Sequence, residues 1–300
     1  MLERTELLAN LDIFHGELSP ARAAIYARLS GLHDMAGLRL SGEVRGPRCL
    51  YSQTLPSSYP LKNVGPGQSL LARALLTDPC YWSPQTPHIY DVTVELRQGS
   101  DVVASETRQI GLRPLGISGR FLTWESKPWV LRGVELSKST PQAAIASWRD
   151  YSLVLLADGL NDQQLRDASE NGILCCCPIG TLSASLEDVI REARRLARFP
   201  AVAIISLPSQ SMPEVAHLAP NCLIARNGTP ETMTDSEPSL QIILVDNNRT
   251  SFTRAAAELK TPILMRRPIS SGKSPEQARA ACDKLQADLA PLGQFAGYIV

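Results

Sequence analysis

ETRQIGLRPLGISGRFLTWESKPWVLRGVE, residues 106–135, is where the chain changes its grammar. Before it, from about Pro20, short segments are cut by turn residues: AAIYARLSG, GLRLSGEVRG and QSLLARALL. HIYDVTVELRQGSDVVASETRQIGL then reads as a hairpin, with Gln98-Gly99-Ser100-Asp101 as its turn. Several short strands separated by Gly, Pro and Ser clusters predict an all-β sandwich. After Phe121 the pattern becomes apolar runs alternating with amphipathic segments. The runs are WVLRGV, YSLVLLA, GILCCCPI, AVAIISL, NCLIAR, LQIILV, TPILM and FAGYIV.

Between those runs the period is helical. In LSASLEDVIREARRLARF, residues Leu186, Val189, Ile190, Ala193 and Leu196 share one helix face, with Glu and Arg opposite. SPEQARAACDKLQADLAPLG has Pro275 just inside a helix start and Gly293 past its end. Strands that are apolar on both faces, each followed by a helix, predict a parallel sheet. Eight such units without a dinucleotide fingerprint favour a closed (β/α)8 TIM barrel over an open sheet. The expected fold is a multidomain α and β protein, an immunoglobulin-like β-sandwich followed by a compact barrel. Residues 1–19 are expected as an N-terminal extension, 20–116 as the sandwich and 117–300 as the barrel.

Composition narrows the function classes. Of 300 residues, 44% are hydrophobic and 20% charged, which fits packed domains rather than disorder. Lys plus Arg and Asp plus Glu both total 30, so no broad basic face draws in nucleic acid or anionic membrane. No apolar run reaches the length of a membrane span. Read from Met1, MLERTELLANLDIF spaces Leu and charge at a helical period and lacks a signal peptide's apolar core. The expectation on that reading is a cytoplasmic chain. The seven cysteines include a run of three (Cys175, Cys176, Cys177) and form no C-x-x-C or Cys/His metal spacing. They are expected as free buried thiols, with no metal and no cofactor. There is no Gly-x-Ser-x-Gly elbow, and SGKS at 271–274 lacks the glycine of a phosphate loop. His15, His33, His88 and His217 are scattered.

Two stretches carry a family resemblance. CYWSPQTPHIYDVTVEL and the junction at 106–135 are similar to the passage from sandwich to barrel in glycoside hydrolase family 2, which holds the β-galactosidases and β-glucuronidases. Trp82, Ser83, Pro84, Pro87 and Tyr90 match its Trp-Ser-Pro-x-x-Pro-x-x-Tyr pattern. Gly111, Leu112 and Arg113 match its Gly-Phe-Arg, Lys127 and Pro128 loosely match its Gly-Lys-Pro, and Leu131–Val134 match its Leu-Arg-Gly-Val. The resemblance runs from about residue 20 to the C-terminus and does not include the family's N-terminal jelly roll. Each matched Pro or Gly also has a plain structural use in a turn or close packing.

The resemblance implies two catalytic carboxyl groups at the ends of different barrel strands, one an acid/base and one a nucleophile. The family's Gly-Asn-Glu at strand four falls on Pro208, Ser209 and Gln210 of FPAVAIISLPSQ. An amide neither gives nor takes a proton at neutral pH. The Thr-Glu of strand seven falls on Arg266 and Arg267, and a guanidinium is no nucleophile. The supporting clusters fall on Glu135, Leu136, Ser137 and Lys138, on Leu155, Leu156, Ala157 and Asp158, and near Cys177 and Pro178.

Five strand ends have lost the expected chemistry while the apolar spacing persists. The expectation is a catalytically degenerate pseudo-glycosidase, not an enzyme, with a carbohydrate, an anionic small ligand or a protein as partner. One alternative is a glycosidase with a relocated site built from Glu135, Asp158 or Asp246, and another is a structural module of a larger assembly. The candidate ligand-binding residues are Glu135, Asp158, Ser209, Gln210, Asp246, Asn247, Arg266 and Arg267. Against the acidic, Asx and arginine candidates stands an ordinary role: helix caps and turns for the acidic and Asx residues, local ion pairs for the arginines.

Overall fold

The computed structural model describes residues 7–32, 35–65, 67–136, 145–180, 185–207, 213–228, 241–246, 259–268 and 274–300, the side chains of 145, 146, 213 and 214 excepted. These residues divide into two compact units, 1–113 with 198–200, and 114–197 with 201–300.

The first unit is built on seven antiparallel strands: β1 (Leu11–Ser19), β2 (Arg22–Leu29), β3 (Leu38–Arg48), β4 (Ser57–Asn63), β5 (Leu70–Thr77), β6 (Ile89–Gln98) and β7 (Asp101–Ile110). Their order is β1-β2-β5-β4-β3-β6-β7. The sheet curls into a sandwich because β4 pairs with β5 through only Lys62 and Asn63, while it pairs with β3 from Ser57 to Leu61. The two edges approach where Arg108 of β7 donates a hydrogen bond to the Leu11 carbonyl of β1. One core lies between the halves, with Ala23, Ile25, Ala27 and Leu29 from one side and Val92, Val94 and Leu96 from the other, all buried.

The hairpin falls where the sequence placed it. Gln98 faces Asp101 across Gly99 and Ser100, and Gly99 has φ 61°, a conformation glycine adopts without strain. Two strands depart from expectation. Residues 11–19 are β1 rather than an extension outside the sandwich, and the helical period read there is overridden. Buried β2 needs a partner for its backbone groups, and LDIFHGELS supplies one from Leu11↔Leu29 onward. β4, SSYPLKN, was not foreseen, since Leu61 is its one buried residue.

The Trp-Ser-Pro motif braces the sandwich. Trp82 donates its backbone N–H to Leu112 O (2.9 Å), and its ring lies so close to Gly111 that a Cβ there would meet it at 2.8 Å. At the start of β6 the Tyr90 hydroxyl accepts from the Cys80 N–H (2.9 Å). A tyrosine at that place, bonded back to upstream backbone, is the corner typical of immunoglobulin-like sandwiches.

The second unit opens with a three-stranded antiparallel sheet, where the sequence predicts the barrel from residue 117: β8 (Leu115–Ser118), β9 (Phe121–Trp124) and β10 (Lys127–Trp129). A closed barrel follows, in the order β11 (Leu131–Glu135), β12 (Val154–Leu156), β13 (Cys175–Pro178), β14 (Val202–Leu207), β15 (Leu223–Asn227), β16 (Ile242–Asp246), β17 (Ile263–Arg266) and β18 (Gly297–Ile299). Each neighbouring pair is parallel, and β11 pairs with β18 to close the ring. All eight apolar runs became its strands. The described helices are α1 (Ile145–Asp150), α2 (Asp162–Glu170), α3 (Leu186–Ala197), α4 (Pro213–Leu218) and α5 (Pro275–Leu289). Ser274 caps α5 by accepting from the Gln277 N–H, so the described end of SGKS has a structural task.

Alternation sorts the barrel residues into rows. Arg132 reaches outward to Asp283 (2.6 Å) and Gln286 (2.7 Å) of α5. Leu131, Gly133 and Glu135 therefore face the interior. Gly133 and Gly297 keep that interior passable for their neighbours: a Cβ on Gly297 would strike Leu131 Cβ and Leu264 Cδ2 at 2.7 Å. Among the described residues, no helix is long and apolar enough to cross a membrane.

Candidate functional site

The strand register brings three of the candidate residues together at the C-terminal end of the barrel. Glu135 ends β11, Asp246 ends β16 and Arg266 ends β17, with Asp246 and Arg266 directly paired in the ladder. Arg266 Nε donates to Asp246 Oδ1 (2.5 Å) and Nη2 donates to Oδ2 (3.0 Å), a two-pronged pairing. Arg266 Nη1 lies 3.8 Å from Glu135 Oε1. The guanidinium thus sits between two carboxylates. Its bonds to Asp246 push the Arg266 pKa further up from an already high value, so it stays charged.

Beside Glu135 the barrel wall turns apolar. Leu156 lies beside Glu135 in the ladder, and Cys176 lies beside Leu156. Burial pushes the Cys176 thiol up to about 12, so it stays protonated and behaves as a small apolar group. On the far side, buried Ser206 of β14 donates to Asn227 Oδ1 of β15 (3.4 Å). Sequence reading did not single out Ser206 or Asn227. The signal was present: Ser206 interrupts AVAIISL two residues after Ile204, on the same row.

The other candidates are placed differently. Arg267 turns away from Arg266 and pairs with Asp288 of α5 (2.7 Å). The inward residue of the strand-seven end is therefore Arg266, one position before the residue aligned with the family nucleophile. Asp158 is exposed beyond the end of β12, and Leu155, Leu156 and Ala157 before it are buried. Ser209, Gln210 and Asn247 lie outside the described residues, as do Pro208, Ser137 and Lys138. All seven cysteines are unbridged, and five of them are buried. Among the described residues, no three His, Cys, Asp or Glu side chains gather as a metal site.

Part of the first unit is similar to known proteins in sequence, and most of the chain is similar to solved structures in fold. Residues 55–113 match the family model "Glycosyl hydrolases family 2". That span holds the Trp82 motif, Tyr90 and Gly111. The resemblance is to glycosyl hydrolases family 2. A β-galactosidase of Leuconostoc mesenteroides is 33% identical over 57 residues, 19% of this chain and 6% of that protein. Solved structures extend the likeness of fold beyond the matched span. A Bacteroides uniformis β-glucuronidase, covalently bound to cyclophellitol-6-carboxylate aziridine, has a TM-score of 0.58 at 12% identity, over 96% of this chain and 45% of that one. A Bacteroides vulgatus β-glycosidase has a TM-score of 0.61 at 11% identity, over 87% of this chain and 38% of that one. At such identities the likeness is one of fold. The chain spans less than half of these solved relatives and a small part of the β-galactosidase.

Proposed function

We propose that this chain is a catalytically degenerate relative of the glycosyl hydrolases of family 2, a pseudo-glycosidase. Its barrel mouth binds a ligand or partner and does not cleave glycosidic bonds. The observation that carries the reading is Arg266. Retaining hydrolysis needs a carboxylate free to attack the anomeric carbon and a second carboxyl group to handle the proton. The inward end of β17 presents a guanidinium instead, with both Asp246 oxygens committed to it. A fixed cation there also opposes the oxocarbenium-like transition state. Gln210, aligned with the acid/base, offers an amide that cannot stand in for that group.

Charge at the mouth favours a neutral hydroxyl-rich ligand over an anion. Glu135 and Asp246 together outweigh Arg266, so a carboxylated sugar meets a guanidinium already taken. The test is incubation with cyclophellitol-type aziridines of galacto and glucurono configuration, followed by intact mass measurement. No adduct is expected; a stoichiometric covalent adduct on a carboxylate contradicts the reading.

A second reading has one observation in its favour. Glu135 and Asp246 converge on one guanidinium, as a relocated pair of carboxylates requires. Asp158 contributes to neither contact. This reading predicts glycoside hydrolysis that Asp246→Asn and Glu135→Gln each abolish.

A further inference from the structure

β3 has a strand on both sides for only part of its length. It pairs with β6 from Leu38 onward, but with β4 only from Gly42 to Gly46, because β4 leaves it after Leu61 to pair with β5. Where β4 leaves, a hollow of about 520 Å³ opens beside Gly42 and Leu61. Leu40, Val44, Val92, Val94 and Leu96 point into the sandwich core, so the alternate residues of β3 and β6 face outward. Six of these line the hollow, and the ladder sets them in three rows: Arg39↔Arg97, Ser41↔Glu95 and Glu43↔Thr93. Three of the four charged groups are already matched. Arg97 donates from Nε (2.9 Å) and Nη2 (2.7 Å) to Glu95 Oε2, and from Nη1 to the Ser100 carbonyl (3.1 Å). Glu43 accepts from Ser58 Oγ and lies 3.6 Å from Arg45. Arg39 has no carboxylate partner among the described residues. Its Nη2 donates to the Gly99 carbonyl (2.9 Å), which uses one of the five N–H donors a guanidinium carries. Ser41 Oγ is buried and has no hydrogen-bond partner among the described residues, a state that folded proteins rarely keep. Glu95 Oε1 takes no part in the Arg97 pairing.

We propose that this hollow on the sandwich face binds a small carboxylate that carries several hydroxyl groups. The ligand's carboxylate accepts from Arg39 and neutralises the one uncompensated charge. One hydroxyl donates to Glu95 Oε1, and another bonds to Ser41 Oγ after a turn about that side chain's χ1. A neutral polyol leaves Arg39 unmatched. A plain fatty carboxylate leaves Ser41 without a partner and sets an apolar chain among charged groups. The volume lies in the range of small-molecule sites. The proposal is independent of what the barrel mouth binds.

The test is equilibrium dialysis of the full chain against radiolabelled D-gluconate, with two competitors that each carry half of its chemistry, D-glucitol and hexanoate. Gluconate should bind saturably, and each competitor should need at least about ten times the concentration of unlabelled gluconate to displace it. Arg39→Gln should weaken gluconate binding at least about tenfold and Ser41→Ala about three- to tenfold. Arg22→Gln, at an exposed arginine of β2 outside the hollow, should bind as the wild type does. No saturable binding of gluconate overturns the proposal, as does glucitol or hexanoate competing as well as gluconate. Binding that is indifferent to Arg39→Gln or Ser41→Ala, or that falls equally in Arg22→Gln, also overturns it.

Discussion

Arg266 and Asp246, neighbours on β17 and β16, are joined by two hydrogen bonds of 2.5 and 3.0 Å. The pair fills a place where the family fold is expected to present a nucleophile. Arg266 is 21% exposed and Asp246 47%, so solvent screens the pairing and its worth is modest. A double-mutant cycle with Arg266→Met and Asp246→Asn, read by urea denaturation, should give a coupling of about 1 kcal/mol. A coupling of zero would mean that the pair does not hold the mouth in its present form.

Restoring the aligned family residues is not expected to restore a site. Arg267 points to Asp288, so Glu at 267 would face α5 and repel that carboxylate. The Gln210→Glu/Arg267→Glu double variant should remain inactive on aryl β-galactosides and β-glucuronides. It should also lose up to about 1 kcal/mol of stability through the 267 change. Turnover by this variant would show that 267, not 266, presents its side chain to the mouth.

Closure of the barrel depends on Gly297. A methyl group there meets Leu131 Cβ, Leu264 Cδ2 and, at 2.9 Å, the Leu131 carbonyl oxygen. Backbone does not yield as a side-chain end does. Gly297→Ala should cost about 1–3 kcal/mol, measured as a fall in the urea midpoint of the second unit. Gly180→Ala, with nothing near its added Cβ, is the control expected to stay near wild type.

Acid should weaken the first unit through His15. Burial and then the Arg113 charge lower its pKa from 6.5 to about 3. The unfolded chain then binds a proton that the folded chain refuses, so stability falls as pH drops from about 6.5 toward 3. The slope contributed is about 1.4 kcal/mol per pH unit within that window. Denaturation curves at successive pH values should show it, and His15→Asn should flatten it.

Much of the fold was legible because burial writes itself into composition. Eight apolar runs became eight barrel strands, and GILCCCPI was readable as one because three consecutive cysteines are as buried as valines would be. β4 was not legible: Ser57, Ser58, Pro60 and Lys62 carry no alternation, and the strand is made by its pairing with β3 from Ser57 to Leu61 and with β5 at Lys62 and Asn63. β1 was misread because its Leu and charge spacing resembles a helix until β2 offers an edge. At the site, sequence identified the arginine pair but not which member faces inward. Two adjacent identical residues carry no such signal; register against β16 and β18 decides it. Ser206 escaped notice for a related reason, since its importance lies in facing Asn227 rather than in its neighbours in the chain.

The central claim is that the barrel has kept its fold without its hydrolytic chemistry. The measurement that tests it most directly is product release from chromogenic aryl β-galactosides and β-glucuronides by the purified chain at high enzyme concentration. The account predicts rates indistinguishable from an enzyme-free blank across the pH range in which the protein stays folded. Saturable turnover that disappears in Asp246→Asn or Glu135→Gln would contradict it.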